Sequence, residues 1–310
     1  MFIHKKLGDT DAYFVFNQQS RSLNLELIFR IAGKTPEIWN PENGSVTKPS
    51  IYSVEKNQTR IPVSFKPHES KIFVFKNGIP DQFITKVSLA GKQIFPQQQL
   101  EDTTFAIPQA IFSKSKFGFT TNLSGEYAFT INDSRIIRAN LVQTKIALID
   151  NFKATIEFFP ISEEVIQPVE ITKLKSLTEF DEPAIRYFAG KAKYTITFKT
   201  PNSFISETDS AVLDLGNIDA TAEVRLNGKL LAYAWMPNTE LVVSGLLEDE
   251  NKLEITVADV ARNRFIGDWN QFGKIQSIWS TSNALKKDLP LKPSGLMGSL
   301  KLLKYNTSWL

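Results

Sequence analysis

Hydrophobic positions recur in this chain mostly every second residue. Leu23, Leu25, Leu27, Phe29 and Ile31 alternate with Asn24, Glu26, Ile28 and Arg30. Ile61, Val63 and Phe65 follow the same rhythm, as do Tyr127, Phe129 and Ile131, and Tyr194, Ile196 and Phe198. A period of two marks a strand with one buried face. The pattern is cleanest at Ala222, Val224 and Leu226 and again at Leu253, Ile255 and Val257. Between them Asn227-Gly228 predicts a type I′ turn, because both central positions of that turn need positive φ. Turn-forming residues also cluster at 17–20, 40–44, 56–58 and 66–69. No segment longer than about ten residues shows a convincing 3.6 period. Short helical turns are expected only near 204–210 and 283–288. The prediction is an all-β chain of tandem β-sandwich modules.

Asn77-Gly78-Ile79-Pro80 reads as a linker. It divides a β-sandwich module at 1–78 from a small β-module at 79–148, whose first half carries little pattern. Phe152, Ala154, Ile156 and Phe158 open a third module at 149–310.

Composition narrows the chemistry. Hydrophobic residues make up 42% of the 310, with 23 Phe, enough for more than one core. The net charge is +3, with Lys and Arg interspersed among Asp and Glu, so no basic stripe suggests nucleic acid. There is no Cys, which excludes disulfides, thiol chemistry and zinc–thiolate sites. No apolar run approaches the ~18–20 residues of a membrane helix. Met1 to Asp9 lacks the apolar core of a signal peptide.

Catalytic constellations are poorly represented. The two histidines are His4 and His68, and no G-x-S-x-G occurs, so a Ser-His-Asp triad has no support. His68, beside Pro67 in a turn, reads as a surface residue. The acidic runs Glu163-Glu164, Asp181-Glu182 and Glu248-Asp249-Glu250 lie in polar, turn-like stretches. Adjacent residues on a strand point to opposite faces. They do not form the facing carboxylates of glycoside hydrolysis. Phosphate-binding Gly-rich loops are absent.

A binding surface is better supported. Trp235, Trp269 and Trp279 are candidates for an aromatic platform under a sugar ring. Asn263, Arg264 and Asp268 are candidates for the groups that take its hydroxyls, within one short loop turned at Gly267. The alternative is that Arg264 and Asp268 pair with each other and tie that loop to the sandwich. Trp235 would then pack on another domain. Trp309, at the extreme C-terminus, is expected to be disordered.

Several longer motifs carry a family resemblance. Phe2-Ile3-His4-Lys5-Lys6 with Asp11-Ala12-Tyr13-Phe14-Val15-Phe16-Asn17 resembles an "IHR…DIYFVSN" opening. Asp181-Glu182-Pro183-Ala184-Ile185-Arg186-Tyr187-Phe188-Ala189-Gly190 resembles "DDP-x-I-R-YFSG". Asn263-Arg264-Phe265-Ile266-Gly267-Asp268 resembles "NR-[LF]-IGD", and Pro293-Ser294-Gly295-Leu296-Met297-Gly298 resembles "PSGLLGP". Together they resemble the C-terminal region of glycoside hydrolase family 106, the α-L-rhamnosidases, and the related jelly-roll sugar-binding module of family 2.

The resemblance implies a galactose-binding-like jelly roll at 149–310. In that family a (β/α)₈ barrel carrying the catalytic carboxylates precedes these modules. A barrel needs about 250 residues, and no strand–helix repeat occurs here. The chain is therefore expected to be the accessory, non-catalytic part of a rhamnosidase-like glycoside hydrolase: a fragment, a split-gene product or a degenerate homologue. Its partners would be that missing catalytic barrel and a rhamnose-containing glycan, with no nucleic acid and no membrane. The parent enzyme would be exported. His4, leaving the barrel near its active site, would be a substrate contact in the whole enzyme. No cofactor is implied beyond a structural calcium; Asp181 and Glu182 are candidate ligands, but nothing in the sequence selects them. The alternatives are a free-standing lectin-like protein and purely structural modules bracing the barrel.

Overall fold

The computed structural model describes residues 1–42, 44–78, 81–97, 107–204, 210–218, 220–235, 240–277, 279 and 289–310. The all-β expectation holds. Strands dominate, antiparallel pairing prevails, and helices are short. Two compact units form: Met1–Lys145 together with Tyr305–Leu310, and Ile146–Lys304.

The first unit contains two cores. One lies between a five-stranded sheet (order Phe2–Leu7, Thr10–Phe16, Ser70–Lys76, Thr35–Trp39, Val46–Thr47) and a three-stranded sheet (Leu23–Phe29, Gln58–Phe65, Ser53–Glu55). Phe29, Tyr52, Ile61, Phe65, Phe73 and Phe75 fill it. The other core holds Ile84, Val87, Phe95, Phe117, Phe119, Tyr127, Phe129 and Ile131. It is built on the sheet Lys92–Phe95, Ile84–Leu89, Gly125–Ile131, Ile136–Leu141.

The last residues of the chain return to this unit. Ser308–Trp309 pairs with Lys116–Thr120, and Leu310 exchanges two backbone hydrogen bonds with Phe117, at 2.9 and 3.0 Å. Trp309 is thus an ordered strand residue, not a disordered tail. Its indole lies over Gly118, where a Cβ would come within 3.0 Å of the ring.

The second unit is a two-sheet sandwich. One sheet has six strands, in the order Val169–Ile171, Lys153–Pro160, Gly190–Lys199, Glu250–Ala258, Thr221–Leu226, Lys229–Ala234. The other has four: Lys145–Ile149, Leu300–Tyr305, Ser210–Asp214, Glu240–Val242. Ile156, Tyr194, Ile196, Val224 and Ile255 from the first sheet share a core with Leu213, Leu300 and Leu302 from the second. The period of two is obeyed: Ala222, Val224 and Leu226 are buried, and so are Leu253, Ile255 and Val257. The predicted turn is present, with φ of 49° at Asn227 and 79° at Gly228.

A second expectation also fails. Residues 263–268, read as one short loop, lie within a helix, Arg262–Phe272. Two shorter elements accompany it, a 3₁₀ turn at Leu177–Glu179 and a single α-helical turn at Pro183–Arg186. Of the helical turns expected elsewhere, a 3₁₀ turn occurs at Asn202–Phe204, while 205–209 and 281–288 lie outside the described residues.

Candidate functional site

One family-like motif of the second unit lies in the helix Arg262–Phe272, and Tyr187 of a second packs on it. Its buried residues are Asn263, Ile266, Gly267 and Asp268. Two of those four are polar, so the apolar stripe that reveals an amphipathic helix is missing. Ala261 offers no capping side chain at the start, and Gly273 closes the end in a left-handed conformation (φ 68°). Gly267 has a different task from the one expected. It does not turn the chain, because it lies mid-helix with ordinary backbone angles. It makes room for Tyr187, whose Cβ would sit 2.6 Å from an added methyl.

Four polar side chains of the helix hold other segments. Asn263 donates from Nδ2 to the Lys292 carbonyl at 2.7 Å and accepts from the Lys292 amide at 2.9 Å. Asp268 Oδ2 accepts from the amides of Gln276 (2.9 Å) and Ser277 (2.8 Å), and its Oδ1 accepts from the Ser277 hydroxyl at 2.6 Å. Arg264 Nη1 pairs with Glu164 at 2.7 Å, and its Nε lies 3.5 Å from Asp268 Oδ1. Arg262 donates to the Pro290 carbonyl at 3.0 Å. Asn263 and Asp268 are 3% and 1% exposed. These are the contacts of a clamp that fastens 276–277 and 290–292 to the sandwich.

The other motifs make similar joints. Arg186 Nε donates to the Phe180 carbonyl at 2.8 Å. The Ser294 amide donates to Ser176 Oγ at 3.0 Å, and the Leu177 amide to the Ser294 carbonyl at 3.0 Å. The Tyr194 hydroxyl accepts from the Leu296 amide at 3.2 Å, and burial pushes that hydroxyl's pKa up to about 12. Gly295 (φ 83°) has no space for a methyl, which would meet the same hydroxyl and sit 2.9 Å from Leu177 Cγ.

The tryptophans are dispersed in exposure. Trp269 follows Asp268 and is partly buried, and its indole N–H is buried with no hydrogen-bond partner among the described residues. Trp235 is 56% exposed just beyond Lys229–Ala234, and Trp279 is 84% exposed. Gln276, Ser277, Lys292 and Ser176 complete the joints and were missed by sequence reasoning; Glu164 and Ser294 were noticed, but not as joint residues. Most of them act through backbone groups or one small hydroxyl, which leave no mark in residue type.

His4, in the first unit, lies opposite Tyr13 in the first hairpin, and the two rings stack at 4.1 Å. His4 Nε2 is 2.9 Å from Asp11 Oδ1, and Lys34 Nζ is 2.7 Å from Asp11 Oδ2. Lys34 also donates to the Asp9 carbonyl. The Lys34 hydrogen bond is the largest influence on Asp11 and holds its pKa below the usual carboxylate value, against desolvation by burial. A depressed folded-state pKa stabilises the fold above the unfolded carboxylate value and loses that contribution as pH falls through the folded value. Urea-unfolding midpoints of the first unit should therefore drop on acidification below about pH 4. Asp11→Asn should flatten that part of the profile; an unchanged slope would show the cluster to be irrelevant. His68 is exposed, with φ 56°, as a turn residue should be.

Asp181 is fully exposed and 3.4 Å from Arg186, and Glu182 precedes the helical turn as an exposed residue. Among the described residues no group of three or more His, Asp or Glu converges. A cleft of about 340 Å³ in the first unit is lined by Pro49, Pro62, Pro108, Ile111 and Glu26. Glu26 is tied to Arg60 (2.7 Å) and the Gln97 amide (2.8 Å), so it is not poised as an acid or a nucleophile.

The chain is related to glycoside hydrolases. The α-L-rhamnosidase model of glycoside hydrolase family 106 matches residues 1–53. A candidate β-glucuronidase of Formosa agariphila is 32% identical over 168 residues, 46% of this chain and 14% of that protein. The solved rhamnosidase of Novosphingobium sp. PP1Y superimposes on 98% of this chain with a TM-score of 0.64 and 25% identity, over 23% of its own length. The chain thus spans less than a quarter of either relative.

Proposed function

We propose that this chain is an accessory β-sandwich region of an α-L-rhamnosidase-like glycoside hydrolase, with a galactose-binding-like jelly roll in its second unit, and that it hydrolyses no glycoside by itself. The observation that carries this reading is the near-complete superposition of the chain on less than a quarter of a rhamnosidase. The polar chemistry agrees with it. The acidic residues at 163–164 and 181–182 are solvated or paired with arginines, and Glu26 is locked in a structural ion pair. Hydrolysis requires two carboxylates facing one glycosidic bond across roughly 5–10 Å, one of them free to protonate the leaving oxygen.

On this reading Asn263, Arg264 and Asp268 brace the jelly roll, since Asn263 and Asp268 bond mainly to backbone groups and Arg264 pairs with Glu164. The glycan acted on by the parent is rhamnose-containing. The purified chain should release no nitrophenol from an aryl α-L-rhamnoside above the buffer rate. Release that co-elutes with the protein through a second purification would overturn the non-catalytic assignment.

A further inference from the structure

The six-stranded sheet of the second unit turns one face to the core and leaves the other to solvent. On the solvent face, cross-strand pairing sets Tyr233 beside Glu223, Glu223 beside Thr256, Thr256 beside Lys193, and Lys193 beside Glu157. Directly paired residues share a face. Arg225 belongs to the same face, two residues from Glu223, with its Nε 2.6 Å from Glu223 Oε1. Glu254 holds Lys193 at 2.9 Å and Lys252 at 3.2 Å.

Phe159, 54% exposed, lies on this face in the strand Lys153–Pro160, and two further large rings stand near the edge strand Lys229–Ala234. Tyr233 is 67% exposed and Trp235 is 56% exposed, while Ala234 between them is buried. Alternation directs Tyr233 outward from the sheet's edge strand, and Trp235 follows just past the strand's last residue, two residues or roughly 7 Å further on. Leu230, opposite Arg225, adds a smaller apolar surface.

We propose that this edge of the outer face is a polysaccharide-binding platform, separate from the clamp around Asn263 and Asp268. Tyr233 and Trp235 would stack on the apolar C–H faces of successive sugar rings. Glu223 and Arg225, already held rigid by each other, would exchange hydrogen bonds with the ring hydroxyls as acceptor and donor fork. The surface suits a glycan better than a protein. Protein interfaces deplete charge at their centre, and covering Lys193, Lys252, Glu254, Glu223 and Arg225 with an apolar partner would strand them from water. A sugar chain lies along such a face, replacing water by hydroxyls and leaving the ion pairs partly wet. The choice of glycan over other partners rests on the glycoside-hydrolase relationship.

Native electrophoresis of the full chain in gels containing soluble polysaccharide tests the proposal. One gel holds a rhamnose- and uronate-bearing pectic polysaccharide, a second a neutral galactan, and a third no polysaccharide. The expected result is retardation in at least one polysaccharide gel. Tyr233→Ala and Trp235→Ala should each weaken it about two- to tenfold, as expected for loss of one stacked ring, and the double variant should abolish it. Both residues are exposed, so circular dichroism and the melting temperature should stay at wild-type values. Wild-type protein that migrates freely in every gel overturns the proposal, and so does a folded double variant that is retarded like wild type. Either result leaves the non-catalytic reading standing, because the aryl rhamnoside assay decides that separately.

Discussion

Gly190→Ala should unfold the second unit or prevent its soluble expression. Gly190 has φ 142°, a conformation that side chains rarely adopt. An added methyl would strike the Phe159 carbonyl oxygen and sit 2.8 Å from Pro160 Cα. Both obstacles are backbone, and both belong to the neighbouring strand, where Pro160 pairs with Gly190. Relief would require that strand to move. The Gly190 carbonyl also accepts from the Asp259 amide at 2.9 Å, so three strands are disturbed together. Backbone strain and overpacking together put the loss at about 4 kcal/mol or more. Urea unfolding followed by tryptophan fluorescence would measure it. Gly78→Ala is the control: its methyl meets only Thr35 Oγ1, at 3.7 Å, and should change stability by less than about 0.5 kcal/mol. A Gly190→Ala protein with a wild-type midpoint would refute the joint.

Asp268→Ala carries the second large effect. The variant deletes a buried carboxylate that accepts from two amides and a hydroxyl and faces Arg264. Removing one partner of a buried charged network costs about 3–5 kcal/mol, since the others are left without their acceptor. The loss should also have an address. Amide hydrogens of Gln276 and Ser277 should exchange much faster in the variant, while those in the strands of the first unit keep their protection. Asp268→Asn, which keeps the shape and one acceptor, should fall between the two. Unchanged exchange at 276–277 with an unchanged melting temperature would remove the clamp from the account.

The strands were legible because their physics is local. A buried face on a pleated strand forces alternation, and Asn227-Gly228 announces its turn by the φ it tolerates. The helix Arg262–Phe272 was not legible, because its inward face carries Asn263 and Asp268 and offers no apolar stripe. Residues 263, 264 and 268 were placed on a loop; the helix brings Arg264 to Asp268 through their i, i+4 spacing, while Asn263 faces Lys292. Gly267 was noticed for the wrong reason, since the sequence shows that a side chain is missing but not that Tyr187 fills the space. Trp309 was misjudged because a chain terminus usually lacks partners, and its strand partner lies nearly two hundred residues earlier. Tyr233 attracted no attention, because an alternating pattern reports which face a ring takes and not whether anything covers it.

The return of the final residues to the first unit makes the second unit a guest inserted within its host. The host's sheet of Gln109–Ser113 and Lys116–Thr120 gains its third strand, Ser308–Trp309, only after the whole guest has been threaded. As a free coil, an excursion of roughly 160 residues would cost about 4–5 kcal/mol to close. The folded guest removes much of that cost, because its entry strand Lys145–Ile149 and its exit strand Leu300–Tyr305 are neighbours in one sheet. Folding of the guest thereby favours completion of the host, and a lesion that unfolds the guest, such as Gly190→Ala, is felt twice: once where it occurs, and again as a closure cost at a distant strand edge.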